Sequence, residues 1–536
     1  MKDKIISIFN IRNISVQLRL IVLLIILVLA TLVRFYKLDK VPPSLNWDEM
    51  AAGYNGFTIA NWGADEYGNK YPIIFKSFGD DKHPVHIYLT ALVVKIFGLS
   101  DFSTRASSAA IGVLAILAIY LLVKELSKSE LIALLSSLFL AVSPYHIHYS
   151  RGLWEANFAL SFLIFGLSSF YIGLRKNNWL IPLSFSFFGL SFFSYHSAKI
   201  IVPIIVFLVC LFNLKKLLSN KKILIWSTLV VFIFAGLILK EPRILGFARI
   251  NQTKFSSEVL NKYGGELNTI IHNYKEYFTY SYLFQNGDQS SRASVKVVGE
   301  FYKIDLPLML IGLFALLLRK KWQALIILIT WLVLSPIPGA VSALEPSATR
   351  GIFIIAPIIL LSAIGASGLI LFFKNKWIRI LITLLVLLFL GREVVNYTSY
   401  YFTKYAEKEA IEWQYGMKQI VEYVSENPDY YRVYMDKIRQ QPYIFFLYYL
   451  KTPLPEFLSS VKYDETESKS YNTVLFFDRY QFGDWDIIGS YPNNNILYVI
   501  TPSYYGGLRY LQQFDVKKLV KYPNKNDAFY MVSGYE

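Results

Sequence analysis

Two adjacent carboxylates, Asp48 and Glu49, stand in "SLNWDEMAAGYNG" (44–56), a few residues beyond an apolar run. The same stretch continues as "WGADEYGNKYPIIFKSFGDDKHPVHIY" (62–88), adding Asp80, Asp81, Lys82 and His83. Carboxylates followed by a cation suit a site handling a hydroxyl on one substrate and a phosphate on another. The acid takes a proton and the ammonium holds an anion. A carboxyl near a bilayer can also titrate high enough to serve as a general base. Asp48 and Glu49 are therefore the candidate catalytic pair, with Asp81 and Lys82 as candidate substrate- and phosphate-binding residues.

A second group of polar residues lies in "YHIHYSRGLWEAN" (145–157), "SYHSAK" (194–199), "NGDQSSRAS" (286–294) and "LEPSATRG" (344–351). Arg105, Arg151, Lys199, Arg292 and Arg350 all sit at or near the ends of apolar runs. Each alone reads as a cation snorkelling to the interface. Together they would line a pocket for a lipid-linked phosphate, for which the arginine fork is the natural partner. His146, His148 and His196 form only a weak metal pattern, because no carboxylate stands in register with His-x-His. Asn251-Gln-Thr and Asn396-Tyr-Thr match the glycosylation acceptor pattern, which carries little weight at that length.

The composition dictates what must position these groups. Of 536 residues, 54% are hydrophobic and 17% aromatic, with only 17% charged, and the mean hydropathy is +0.39. That profile belongs to a membrane protein. The net charge of +16 does not point to nucleic acid, since the basic residues fall in short clusters between apolar runs without interleaved stacking aromatics. The lone Cys210 lies in an apolar run and excludes a disulfide framework and a Cys-based metal site.

About eleven runs are long enough to read as spans: 18–36, 105–123, 130–148, 156–174, 178–195, 198–214, 222–239, 303–318, 322–337, 350–373 and 377–392. The first follows Lys2, Lys4, Arg12 and Arg19 and reads as a signal anchor, being long for a signal peptide and lacking a small-x-small cleavage site. With the N-terminus cytoplasmic, "KELSKSE" (124–130), "RKNN" (175–178), "KKLLSNKK" (215–222), "RKK" (319–321) and "KNKWIR" (374–379) all fall inside. Each is short and basic, as the positive-inside rule requires. The long connections then fall outside, including loop 37–104, and the segment 83–98 reads as an interfacial helix.

Beyond residue 393 the long apolar runs end. Helical spacing over 406–427 and strand-like runs at 471–480 and 494–505 predict a small α/β extracytoplasmic domain, 394–536, after a membrane domain 1–393. No internal repeat of fixed period is visible.

The matching pieces Trp47-Asp48-Glu49, "DEYGNKYP" (65–72), Asp81-Lys82-His83-Pro84, Arg105 with Ser107 and Ser108, and "PIPGAVSALEPSATRG" (336–351) resemble the GT-C membrane glycosyltransferases. The nearest branch is that of bacterial aminoarabinose transferases and protein O-mannosyltransferases. The resemblance runs over most of 18–393 and is best in the first hundred residues. It implies a polytopic helical enzyme that moves a hexose or pentose from a polyprenyl-phosphate carrier to an acceptor protein, lipid or glycan on the outer face. Asp48 would stand nearest the acceptor hydroxyl, with Lys82 and outer arginines on the lipid phosphate. Where some aminoarabinose transferases place an arginine just after the acid pair, this chain has Met50, Ala51 and Ala52. The metal site of those enzymes would have only Asp81 with His272 as its counterpart, so no cofactor is firmly predicted and divalent-metal dependence has weak support.

A single displacement at the anomeric carbon would invert its configuration. The rival readings are a flippase for a lipid-linked glycan, a glycan polymerase or ligase, and a glycan-binding protein with a membrane anchor. The first usually carries mid-span charges or repeats, which these spans nearly lack. The last would need far fewer spans. The expected location is a prokaryotic plasma membrane, multi-pass.

Overall fold

The computed structural model describes residues 16–78, 80–246, 255–342, 345–436, 441–464, 473–483, 492–508 and 510–535. Asn251 lies outside the described residues. The chain divides into two compact units, 1–36 with 108–400 and 37–107 with 401–536. The long loop 37–104, grouped from the sequence with the membrane domain, thus clusters with the C-terminal segment.

In the first unit every run read as a span holds a helix. Among the described residues six helices are long and apolar enough to cross a bilayer, or seven if the bent pair Glu130–Val142 and Pro144–Arg151 is one span. Leu180–Phe192, Ala198–Phe212 and Asp305–Leu318 are apolar but shorter, and Lys376–Tyr400 carries Arg379, Arg392 and Glu393.

The bent pair turns by 56° where Pro144 removes an N–H donor and Ser143 caps the second half. The carbonyls freed at the break are met by the buried Arg34, which donates to Ala141 O at 2.9 Å and to His146 Nδ1 at 2.7 Å. Asp305–Leu318 and Ile355–Phe372 cross backbone to backbone. A Cβ at Gly312 would fall on the carbonyl of Leu361, and one at Gly365 on the carbonyl of Leu308, so only glycine permits the approach.

At one end of this unit Arg19 pairs with Glu130 at 2.7 Å and Arg175 with Glu125 at 3.0 Å. The start of the first helix and the connections 124–130 and 175–178 therefore share a side, as their alternation in the sequence requires.

The second unit is built on a seven-stranded mixed sheet. Its strands follow the hairpin pair β1 (Phe75–Ser77) and β2 (Asp80–Lys82), and are β3 (Arg432–Asp436), β4 (Lys462–Asp464), β5 (Thr473–Phe477), β6 (Tyr480–Gly483), β7 (Ile496–Ile500), β8 (Phe514–Lys521) and β9 (Asp527–Gly534), in the order β4-β5-β6-β3-β7-β9-β8. β3 runs parallel to β6 and β7, and the other pairings are antiparallel. Val433, Met435, Leu497, Val499 and Met531 pack into one core with Ile444 and Phe446 from Tyr443–Tyr449 and with Ile420 and Val424 from Met417–Glu426.

Met50, Ala51 and Tyr54 join the same core from the helix Trp47–Trp62. The helix expected over 406–427 is interrupted: Gly416, at φ 107°, takes a left-handed conformation that glycine tolerates, and the regular helix starts only at Met417. The segment 83–98 forms the helix Pro84–Phe97. At 14 residues it reaches about 21 Å, short of a bilayer core of about 30 Å. Its Leu92, Ile96 and Phe97 are exposed, as an interfacial placement requires.

Candidate active site

Asp48 and Glu49 open the helix Trp47–Trp62. The Asn46 side chain accepts from the backbone N–H groups of both, at 2.9 and 3.1 Å, and the Glu49 carboxylate accepts from Asn46 N at 3.1 Å. This is a capping box, and its Asn-x-x-Glu spacing is legible in the sequence. It fixes the backbone of both acids but sends their side chains to different environments.

Glu49 is buried at 2% exposure and receives Arg105 in a fork, Nε to Oε1 at 2.9 Å and Nη2 to Oε2 at 2.9 Å. Arg105, fully buried, also donates to the carbonyls of Leu38, Pro42 and Ser44. All five of its N–H donors are thereby engaged. Glu49 and Arg105, read from the sequence as a catalytic and a phosphate-binding candidate, form a buried pair that anchors the chain where it enters the helix.

Asp48 is the carboxylate left accessible. Its side chain is 36% exposed, and Lys82 Nζ lies 3.0 Å from Oδ1. Lys82 ends β2, held by the antiparallel register Phe75↔Lys82 and Lys76↔Asp81. Asp81 sits one residue before it, half-buried on the same hairpin. A carboxylate and an ammonium 34 positions apart in sequence thus meet in one ion pair.

The second unit also contains a buried acid that sequence reading did not single out. Glu66 accepts a 3.4 Å hydrogen bond from Tyr443. Burial first, and then the neighbouring Asp65 carboxylate, push its pKa up to about 8.

In the first unit, three of the four polar connections named from the sequence wall one cavity of about 540 Å³, lined by Trp154, Asp288, Arg292, Glu345, Ser347 and Thr349 among others. Arg292 lies 5.7 Å over the Trp154 ring, and His148 Nε2 donates to its carbonyl at 2.7 Å. Asp288 braces the 344–351 turn by accepting from Ala348 N at 2.6 Å. Asp288 and the buried Glu300 are both raised in pKa, chiefly by burial, Glu300 to about 8.

Arg350, next in sequence after Thr349 but not itself lining the cavity, donates to Ser342 O at 2.8 Å, while its carbonyl accepts from Ser197. Lys199 donates to His196 Nδ1 at 3.1 Å. Arg151 differs from these. It is fully buried and donates to the carbonyls of Val33, Arg34 and Tyr36 at 2.6, 3.1 and 2.9 Å. Read from the sequence as a phosphate-binding candidate, it satisfies the carbonyls at the end of Val16–Phe35.

Among the described residues no three His, Cys, Asp or Glu side chains gather as a metal-ligating group. His272 stacks on Tyr263 at 4.4 Å.

Residues 81–239 match the family model of the dolichyl-phosphate-mannose-protein mannosyltransferases. Among solved structures, the chain resembles ArnT from Cupriavidus metallidurans in the apo state, with 13% identity over 95% of this chain and 97% of that one, at a TM-score of 0.55. The chain has the GT-C fold of the ArnT type. ArnT bound to undecaprenyl phosphate shares the GT-C fold with this chain at a TM-score of 0.53 and 12% identity, over 95% of this chain and 97% of that one. The GT-C oligosaccharyltransferase AglB from Archaeoglobus fulgidus, in complex with an inhibitory peptide and a dolichol-phosphate, reaches 0.50 at 14% identity, covering 80% of this chain and 63% of that one. No curated protein matches by sequence. The family match begins at Asp81, so it includes Lys82 and leaves Asp48 outside.

Proposed function

We propose that this chain is a membrane glycosyltransferase that moves a sugar from a polyprenyl-phosphate carrier to an acceptor hydroxyl on the extracytoplasmic face, with inversion. The observation that carries this reading is the accessible Asp48 carboxylate fixed at a helix start, 3.0 Å from Lys82. Two solved structures with this fold, ArnT with undecaprenyl phosphate and AglB with a dolichol-phosphate, hold polyprenyl phosphates, which supports the carrier assignment.

In the step proposed, an Asp48 oxygen takes the proton of the acceptor hydroxyl as the hydroxyl's own oxygen attacks the anomeric carbon from the face opposite the carrier. The bond from the anomeric carbon to the phosphate oxygen breaks, and its electron pair leaves with the phosphate. Lys82 stabilises the charge that develops there. Asp81, beside it on the hairpin, is assigned to substrate binding. In the helical unit, taken by itself, Arg292 is assigned to anion binding at the wall of its own cavity, with Lys199 and Arg350 as further candidate binding cations of that unit.

The test is incubation of purified protein with a panel of labelled polyprenyl-phosphate sugars and membrane extract, reading the product's anomeric configuration by NMR. Transfer with inversion is the expected result. Retention would overturn the single displacement, and no transfer from any donor would overturn the enzyme class.

A further inference from the structure

The sheet-bearing unit holds a second cavity of about 350 Å³. One wall is a face of the helix Met417–Glu426 carrying Lys418, Glu422 and Glu426 at spacings of four, which places them in line. The other walls are Asp101 and the helix end with Tyr449 and Lys451. Lys418 Nζ is 3.2 Å from Asp101 Oδ2 and 5.7 Å over the Tyr449 ring. That ion pair neutralises Asp101 and leaves the exposed Glu422 and Glu426 as the acceptors facing the cavity from one side and Lys451 as a donor from the other.

The lining excludes several ligand classes. A phosphate would meet two carboxylates and no arginine fork. A lipid tail would meet charge on most walls. A peptide adding as a strand needs a sheet edge, whereas these walls are helices and a turn. A polyol fits: its hydroxyls both donate and accept, carboxylates and an ammonium answer both, and the half-buried Tyr449 ring offers an apolar face. The volume is at the small end for a ligand pocket and suits one or two sugar rings.

We propose that this groove binds a saccharide unit of the acceptor, with Glu422 and Glu426 accepting from sugar hydroxyls and Lys451 donating to one. The assignment to the acceptor rests on the transferase reading; binding of the saccharide does not.

The experiment is saturation-transfer NMR on the full chain in detergent, with methyl glycosides of glucose, mannose and N-acetylglucosamine as probes. Wild type is expected to show transfer from at least one. Loss of the charged acceptors in Glu422→Gln/Glu426→Gln should weaken binding about tenfold or more. Both positions are exposed, so the double variant keeps its fold, and an unchanged thermal midpoint verifies this. Asp48→Asn should leave sugar binding intact, so that a failure of the groove and a failure of the catalytic reading are told apart. Binding unchanged in the double variant, binding of none of the three sugars, or binding of an unstructured peptide in their place would each overturn the proposal.

Discussion

Glu49 and Arg105 meet through two hydrogen bonds of 2.9 Å each, and neither side chain is open to solvent. Asp48, one residue earlier, points to an accessible pair with Lys82. The two acids of one dipeptide therefore separate into an anchor and a chemical group.

Removing one partner of the anchor leaves the other charged and buried. Glu49→Ala or Arg105→Ala should cost about 3–5 kcal/mol of stability, while Asp48→Asn, at a pair that is only partly buried, should cost less. Thermal unfolding of the detergent-solubilised protein separates these outcomes.

The glycine crossing has no room for a methyl group, because the obstructing atoms are backbone carbonyls. Gly365→Ala should destabilise by about 1–3 kcal/mol through overpacking, read as a lower thermal midpoint. Gly391→Ala, where nothing approaches within 4 Å, is the control and should not lower it.

Glu66 makes stability depend on pH with a definite sign. Its pKa rises from an ordinary 4.5 to about 8 in the folded chain. Between those values the folded state holds a proton that the unfolded state has released, so stability falls as pH rises from about 4.5 to about 8. Glu66→Gln should flatten this slope and be the more stable protein near pH 8, with Glu300, raised likewise, supplying part of the slope that remains. Midpoints measured across that range check it.

The buried and cavity arginines should behave differently. Arg151→Met strips the cap from Val16–Phe35 and should reduce folded yield. Arg292→Gln at the cavity wall should leave yield intact and weaken binding of a polyprenyl phosphate about tenfold. Equal yields, or equal affinities for Arg292→Gln and wild type, would contradict the respective assignment.

The helices were legible because a bilayer fixes the length and polarity of anything that crosses it, and all eleven apolar runs became helices. Asp48 and Lys82 were legible as candidates by residue type, although their 3.0 Å approach depends on a hairpin no spacing rule supplies. The buried pairing of Glu49 and Arg105 and the capping contacts of Arg151 were not legible, because charge near the end of an apolar run looks the same whether it faces solvent or orphan carbonyls. Asn46 three residues before Glu49 was the overlooked signal of an anchored helix start. In the sheet, β5 and β7 lay under the strand-like runs, whereas β6 (Tyr480–Gly483) begins only at the last residue of the first run. By contrast β8, "FDVKKLVK", has adjacent lysines at its centre and a register shift at Val516/Lys518, which break the alternation that marks a strand.

The most direct test of the central claim is the rate of sugar transfer from a polyprenyl-phosphate donor by Asp48→Asn and by wild type, at matched thermal midpoints. Loss of the base should lower the rate by at least about a hundredfold with the fold unchanged. Turnover equal to wild type would contradict Asp48 as the base, and with it the reading of the Asp48–Lys82 pair as the reacting centre.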